Sequence, residues 1–528
     1  VKPNLEKPLA ESGCVSCGQC VSVCPTGALQ ERTTMVKEVP VATVETDTTC
    51  SFCSIGCSLK LESYGDMLVK ANPDKEGLVN KGLACGKGKW GFDCAVLEDK
   101  LDMPLIRDCE AFREADYHEA LTLVAKKMQS TAAKYCPNHI GVAISDRYTN
   151  EEAYAIKMMA EAMGAKIFCA NNRQSGLKEV IGHDASPNTI DELLSTDFIL
   201  AVGYNAVDNP IIQIKIKQAT DNGAKLALIN PSEFPQHMAA VSKEVYADDL
   251  SFLKQVAKAI IDAGKGADIA GYDELAAALG GVAVSEEAKE IADMYMSAKK
   301  AMIVFNQNLV SVDTARLIGD IALLSGHIGA PRDGILQVKA KNNSQGLIDL
   351  GITEGAEELE GLKALFVFGE EFPLDGSLGL KREDLEFLAV CDTHMTPFAA
   401  KADVVIPGTG FASTDGTFTN TERRLQPVLA AIDEDVELVN WEVAAAIAEI
   451  FEIECGWEST EDISYEMEDC VPTYKYAELD EVLGGVLIPV EPKLAVPEGD
   501  VFGDRLACTD SLMNVIAERL PAMANPTA

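Results

Sequence analysis

Eight of the chain's 16 cysteines are packed into two arrays within its first 85 residues. No other feature of the sequence restricts the fold as tightly. The first array is Cys14, Cys17, Cys20 and Cys24, followed by Pro25. The second is Cys50, Cys53 and Cys57, joined after 27 intervening residues by Cys85. Each array supplies four thiolates, the complement of a [4Fe–4S] cluster. In a chain of 528 residues such arrays read as metal ligands, not as the disulfides of a small secreted scaffold. Two clusters side by side point to electron transfer.

The first array, CVSCGQCVSVCPTGAL, has the spacing C-x2-C-x2-C-x3-C-P of the bacterial ferredoxin run. Its short gaps let three sulfurs close on one cluster, while in two-cluster ferredoxins the fourth Cys serves the other cluster. Only one such run is present. Either all four thiolates hold one cluster, or the run is half of a module completed by an upstream segment or another subunit. A zinc ribbon would instead pair C-x2-C units across a longer gap.

The second array frames LKLESYGDMLVKANPD, which alternates like a short hairpin with a Tyr-Gly-Asp turn. A small β-rich domain is therefore expected around it. After Cys85 comes GKGKWG, a G-x-G-x-x-G match at Gly86, Gly88 and Gly91. No apolar strand leads into it and a candidate ligand precedes it, so it is a poor dinucleotide fingerprint. The glycines are better read as places where backbone approaches a cluster. Lys87 is expected just outside the ligands, where its charge would favour the reduced, more negative cluster.

The formal net charge of −38, from 83 acids and 45 bases, argues against nucleic acid and against an anionic membrane surface. No run approaches the roughly 20 apolar residues of a membrane span, and no signal peptide opens the chain. The cytoplasm is the expected location. Beyond residue 100, short apolar runs alternate with helical patterns. HIGVAIS (139–145), FILAVGYN (198–205), KLALINP (225–231), AMIVFNQN (301–308), ALFVFGEE (364–371), FLAVCD (387–392) and DVVIPG (403–408) suit buried parallel strands. EEAYAIKMMAEAMG and LSFLKQVAKAIIDAG read as helices. The fold class is α/β. Gly203, Asn205 and Asn308 stand at strand ends, where such sheets bind ligands, and read as turn residues with vestigial cofactor contacts as the alternative. Cys94, Cys109, Cys136, Cys169, Cys391, Cys455, Cys470 and Cys508 are scattered singly and read as packing residues.

C-x2-C-x3-C-x27-C with a trailing Lys resembles the cluster domain of the molybdopterin oxidoreductase superfamily. Formate dehydrogenases and the large iron–sulfur subunit of complex I belong to that superfamily. DMPLIRD, TNEEAY, KNNSQGLIDLG and ADVVIPGTGFASTDGTFTNTERRLQPV resemble successive segments of the superfamily, so the likeness spans roughly residues 1–475. It implies a ferredoxin-type segment at 1–35 and a [4Fe–4S] domain at 46–100. It also implies a doubly wound domain at 101–165 and 330–475, a second one inserted at 166–329, and a tail at 476–528.

The chain departs from formate dehydrogenases at two places. Their pattern is roughly C-A-R-x-(Cys/Sec)-H, with the Cys or selenocysteine on molybdenum or tungsten. Here Cys169-Ala170-Asn171-Asn172-Arg173-Gln174 sets Arg173 at the ligand and Gln174 at the His. Arginine stays protonated and cannot ligate, and Gln cannot shuttle a proton as His does. The tail is also too short for the C-terminal β-barrel that helps hold a second pterin dinucleotide. The expectation is two [4Fe–4S] clusters without Mo/W-pterin. The chain would be an electron-transfer subunit of a cytosolic NAD(P)H oxidoreductase, its molybdopterin fold kept as scaffold. Flavin- and NAD(P)-binding subunits would be partners, with ferredoxin a candidate acceptor and flavin-based bifurcation a candidate mode. The alternative is a catalytic Mo/W-bis-pterin subunit of the formate dehydrogenase type.

Overall fold

All seven apolar runs form strands in the computed structural model, which describes residues 14–31, 42–92, 100–232, 240–330, 332–474 and 493–496. Five-residue runs such as Ile140–Ile144, Phe198–Val202 and Ala364–Phe368 are buried at every position. Such strands need cover on both faces, so they lie inside parallel sheets flanked by helices.

The first sheet has seven strands. Their order is Ala111–Glu114, Leu105–Asp108, Val404–Pro407, Phe387–Asp392, Ala364–Phe368, Ile140–Ile144, Lys166–Phe168. The last five run parallel, and the Leu105–Glu114 hairpin adds an antiparallel edge. Helices Tyr117–Tyr135, Asn150–Met163, Asn440–Ile450 and Thr460–Cys470 share its core through Leu121, Tyr154, Ile447 and Ile463. Asn150–Met163 begins at a capping box of Thr149 with Glu152 and ends at Gly164, at φ +66°.

The second sheet is all parallel, in the order Lys243–Tyr246, Lys225–Asn230, Phe198–Val202, Ala301–Asn306, Gly334–Val338. The expected boundaries of the insertion do not follow the sheets. Gly334–Val338 pairs with Ala301–Asn306 in the second sheet, beyond the expected return at 330. Lys166–Phe168, expected inside the insertion, pairs with Ile140–Ile144 of the first sheet. Both are edge strands; Lys166–Phe168 has only three residues, too few for a periodic signal, and the sheet that Gly334–Val338 joins is set by pairing and not by its pattern.

The expected hairpin is present as Ser58–Tyr64 and Met67–Pro73, turning at Gly65, and Val44–Thr49 adds a third antiparallel strand. Leu61, Leu68 and Phe92 of this unit pack on Ala412 and Ile432. Of the scattered cysteines, Cys169 and Cys391 are buried and Cys455 is half-buried. Cys109, Cys136 and Cys470 are exposed, which corrects the packing assignment. Cys109 and Cys136 hold turn positions at φ +58° and +84°, where chain reversal keeps a side chain outside the core. Cys94, Cys508 and nearly all of the 476–528 tail lie outside the described residues.

Candidate iron–sulfur site and the neighbouring crevice

Residues Cys50–Cys57 fold into a loop closed by the Cys50 N–H donating to the Cys57 carbonyl at 2.8 Å. Gly56, at φ +67°, supplies the reversal that a residue with a Cβ would resist. Cys50, Cys57 and Cys85 are buried and Cys53 is half-buried. Burial pushes the thiols of Cys50, Cys53 and Cys57 above their ordinary range, and the facing cysteines push them further. The Cys85 sulfur acts on all three, so the four face one another although Cys85 is distant in sequence. Gly88 lies against this group: a Cβ there would stand 3.2 Å from Cys50 Sγ.

Three cations ease the thiolate charge. Arg147 acts on Cys50 and Cys53, Lys87 on Cys53, and Lys215 on Cys57. Arg147 donates to the Ser51 carbonyl and lies 5.9 Å from the Phe52 ring centroid. Lys215 is buried and paired with Asp191 at 2.6 Å. Lys87, the cation expected from sequence, is exposed. Arg147 and Lys215 carry no signal in the sequence, because only the fold brings them to the cysteines.

The loop is clamped from outside. The Thr421 N–H donates to Ser54 O at 2.7 Å, Asn420 Nδ2 to Ile55 O at 3.0 Å, and Gln426 Nε2 to Gly56 O at 2.8 Å. Ser54 Oγ donates to Lys339 O at 2.7 Å. TNTERRLQ, singled out by resemblance, is thus the brace of the cysteine loop.

The four thiols fit an iron–sulfur cluster. Packed in a low-dielectric site they would not ionise unaided, and iron supplies the compensating positive charge. Among the described residues no three His, Cys, Asp or Glu side chains converge as tightly as one metal ion requires.

In the first array, Cys14 and Cys20 are exposed and Cys17 and Cys24 half-buried. Ser16 N–H donates to Cys14 Sγ at 3.4 Å. Backbone N–H groups of Leu29, Thr26 and Ala28 and the Thr26 hydroxyl lower the Cys24 thiol to about 7. That is a turn suited to a thiolate.

A crevice lined by apolar side chains such as Phe411 and Phe418 as well as polar ones opens where the first sheet reverses its winding. Ile140–Ile144 and Ala364–Phe368 are neighbours whose onward connections run to opposite sides, the place where open α/β sheets bind ligands. Ser51, Ser145, Arg147, Asp392, Thr409 and Asn440 line it, so it abuts the cysteine loop. The segment expected to bear the metal ligand does not fit that task. Cys169 is fully buried, and its thiol donates to Glu370 Oε1 at 3.3 Å. Glu370 also accepts the N–H groups of Ala170 and Asn171, at 3.1 and 3.3 Å. Burial and the neighbouring Glu370 raise the Cys169 thiol well above its ordinary range. Arg173 Nη2 donates to Val310 O at 3.2 Å, and burial lowers its pKa without removing its charge at neutral pH. Gly203 is at φ +53°, Asn205 accepts the Val207 N–H and Asn306 accepts the Asn308 N–H, so the strand-end residues serve turns.

Among the described residues no helix is long and apolar enough to cross a membrane. The profile of the molybdopterin oxidoreductase family matches residues 100–450, that of the molybdopterin oxidoreductase Fe4S4 domain residues 43–95, and that of the 4Fe-4S binding domain residues 10–30. These matches indicate iron–sulfur clusters. The chain is 25% identical to the probable oxidoreductase YjgC of Bacillus subtilis, over 88% of this chain and 59% of that protein. It is 29% identical to the alpha subunit of F420-dependent formate dehydrogenase 2 of Methanococcus maripaludis, over 81% and 73%. A putative formate dehydrogenase of Staphylococcus aureus is 25% identical over 92% and 61%. The chain thus spans about three fifths of the length of some relatives. Acetylene hydratase from Pelobacter acetylenicus shares the fold, with TM-score 0.64 and 14% identity over 79% of this chain and 71% of that one. With its family profile matched over most of its length, the chain belongs to the molybdopterin oxidoreductase family.

Proposed function

We propose that the chain is an iron–sulfur electron-transfer subunit of a cytosolic NAD(P)H oxidoreductase, in which the molybdopterin fold serves as scaffold. Cys50, Cys53, Cys57 and Cys85 hold one [4Fe–4S] cluster, and Cys14, Cys17, Cys20 and Cys24 ligate iron–sulfur in the first array. The observation that carries the scaffold reading is the state of Cys169–Gln174. Its one thiol is engaged by Glu370, and Arg173 stands where the metal donor is expected. Flavin- and NAD(P)-binding subunits would deliver or take the electrons, with ferredoxin as a further acceptor and bifurcation as one mode of use. Relatives named as an alpha subunit of formate dehydrogenase support membership of a larger assembly.

The second reading is a catalytic Mo/W subunit of the formate dehydrogenase type. The names of the relatives favour it, as does a crevice beside Ser51 at the switch point of the first sheet. Metal analysis of anaerobically purified protein separates the two. The first reading expects about eight irons per chain, no stoichiometric molybdenum or tungsten, and unchanged iron in Cys169→Ala. Stoichiometric molybdenum or tungsten with formate-dependent dye reduction would establish the second.

A further inference from the structure

The two cysteine arrays are distant neither in sequence nor in space, and the contact between them is built from few residues. Gly86 N–H, next to Cys85, donates to the carbonyl of Val15 at 2.7 Å, and Val15 is next to Cys14. Trp90 Nε1 donates to the carbonyl of Ser16 at 2.8 Å. Gln19 Nε2 donates to the carbonyl of Gly82 at 2.5 Å. Lys89 is 2% exposed, and its ammonium pairs with Glu31 at 2.8 Å while donating to Ala71 O and Asn72 Oδ1 at 3.0 and 2.9 Å. Two glycines make the approach possible. A Cβ at Gly86 would lie 3.1 Å from Ser16 Cβ, and one at Gly18 3.2 Å from Lys89 Cε.

We propose that Gln19, Lys89 and Trp90, closing around Gly86, form a clasp that fixes the first cysteine array against the second. The Gly86–Val15 hydrogen bond then offers an electron a path between them. This rests on the reading that both arrays hold clusters. Physically, a buried ammonium with three oxygen partners on two chain segments is a poor surface ornament: desolvating it is costly unless all its partners are held. It therefore locks Glu31, at the end of the first segment, to strand Met67–Pro73 of the second array's own domain. A hydrogen bond linking residues adjacent to a ligand on each side shortens the through-space gap that electron tunnelling must cross. Gln19, Lys89 and Trp90 are positioning residues, since none touches the reacting atoms.

The test uses the purified full chain with both sites loaded, in wild type, Gln19→Ala, Trp90→Phe and Lys89→Met. Iron content, EPR spectra of the dithionite-reduced protein and iron release to a chelator are measured. Wild type should show spin–spin coupling between two reduced clusters. Gln19→Ala and Trp90→Phe should keep wild-type iron, lose the coupling in part or whole, and release first-site iron about fivefold faster per lost hydrogen bond. Lys89→Met should show the largest change. Gln19 is on the half-buried first segment, so its variant tests the clasp even where Lys89→Met does not fold. Wild-type coupling and release rates in both Gln19→Ala and Trp90→Phe would overturn the clasp. Absence of iron from either array in wild type would instead overturn the two-cluster reading itself.

Discussion

Replacing Gly56 by Ala should loosen the second cysteine array by an amount the structure lets one work out. Gly56 sits at φ +67°, and a Cβ there would stand 2.0 Å from Gln426 Oε1 and 2.9 Å from Asn420 Cβ. The left-handed conformation costs a non-glycine residue about 1–2 kcal/mol. Forcing a methyl into a filled site costs about 1–3 kcal/mol more. A total near 3 kcal/mol raises the population of the opened loop by roughly a hundredfold. The readout is release of iron to excess chelator under anaerobic conditions, which follows that population when reclosing is fast. Gly65→Ala is the control. Gly65 has φ +55°, and a Cβ there would meet no atom within 4 Å, so it carries the conformational cost alone and lies away from the loop. Gln426→Ala combined with Gly56→Ala should recover part of the loss, since it removes the nearest clashing atom. It gives up only the hydrogen bond to Gly56 O, about 1 kcal/mol. If Gly56→Ala released iron no faster than Gly65→Ala, the account of TNTERRLQ as a brace on the cysteine loop would be wrong.

Arg147→Gln should lower the midpoint potential of the second array's cluster, because it removes a cation that favours the more negative, reduced state. Lys87→Ala should shift it the same way but less, and the shift should shrink with salt, since Lys87 is exposed; unchanged potentials in redox titrations of both variants would contradict the electrostatic reading. A third expectation concerns pH. Burial raises the Asp320 carboxyl to about 8, and Oδ2 has no partner among the described residues while Oδ1 accepts the Ala495 N–H at 3.0 Å. Below about pH 4 both folded and unfolded chains hold the proton and stability is at its full value. As pH rises toward 8 the unfolded chain releases it while the folded chain retains it, so stability falls across that window. Asp320→Asn should therefore gain most over wild type in denaturation midpoints at pH 8 and least at pH 5; parallel pH curves would refute it.

What periodicity and spacing can carry is legible in the sequence. Ile140–Ile144 and Ala364–Phe368 announce themselves because a strand buried on both faces must be apolar throughout. The two cysteine arrays do so because ligand spacing is local. Lys166–Phe168 and Gly334–Val338 fall on the other side of a boundary from the one expected. Lys166–Phe168 is too short to have a pattern, and for both strands only pairing tells which sheet they join. Cys109 and Cys136 depart from expectation for the opposite reason: a small, often-buried residue type suggests a burial that these two positions do not have. In both the local reversal decides instead. Arg147 and Lys215 cannot be read at all. Each looks like an ordinary basic residue, and what it faces is settled by two different α/β sheets closing on the cysteine loop.

That closure also gives the α/β body a physical role in holding the cysteine loop. Four thiolates bound to iron carry net negative charge, and this chain is already at −38. Among the described residues of the cysteine domain the exposed Lys87 answers that charge. The other two come from elsewhere: Arg147 from the turn after Ile140–Ile144, and Lys215 from the helix Pro210–Asp221. The loop is likewise tied through the Ser54 hydroxyl to the Lys339 carbonyl at the end of the second sheet, and through its backbone carbonyls to Asn420, Thr421 and Gln426 beyond the first. Cutting away either sheet would strip the cluster of a counter-charge and of the groups that fix its loop. On this account the body is kept because the cluster's electrostatics and geometry are assembled from both sheets, whatever occupies the crevice between Ser51 and Asn440.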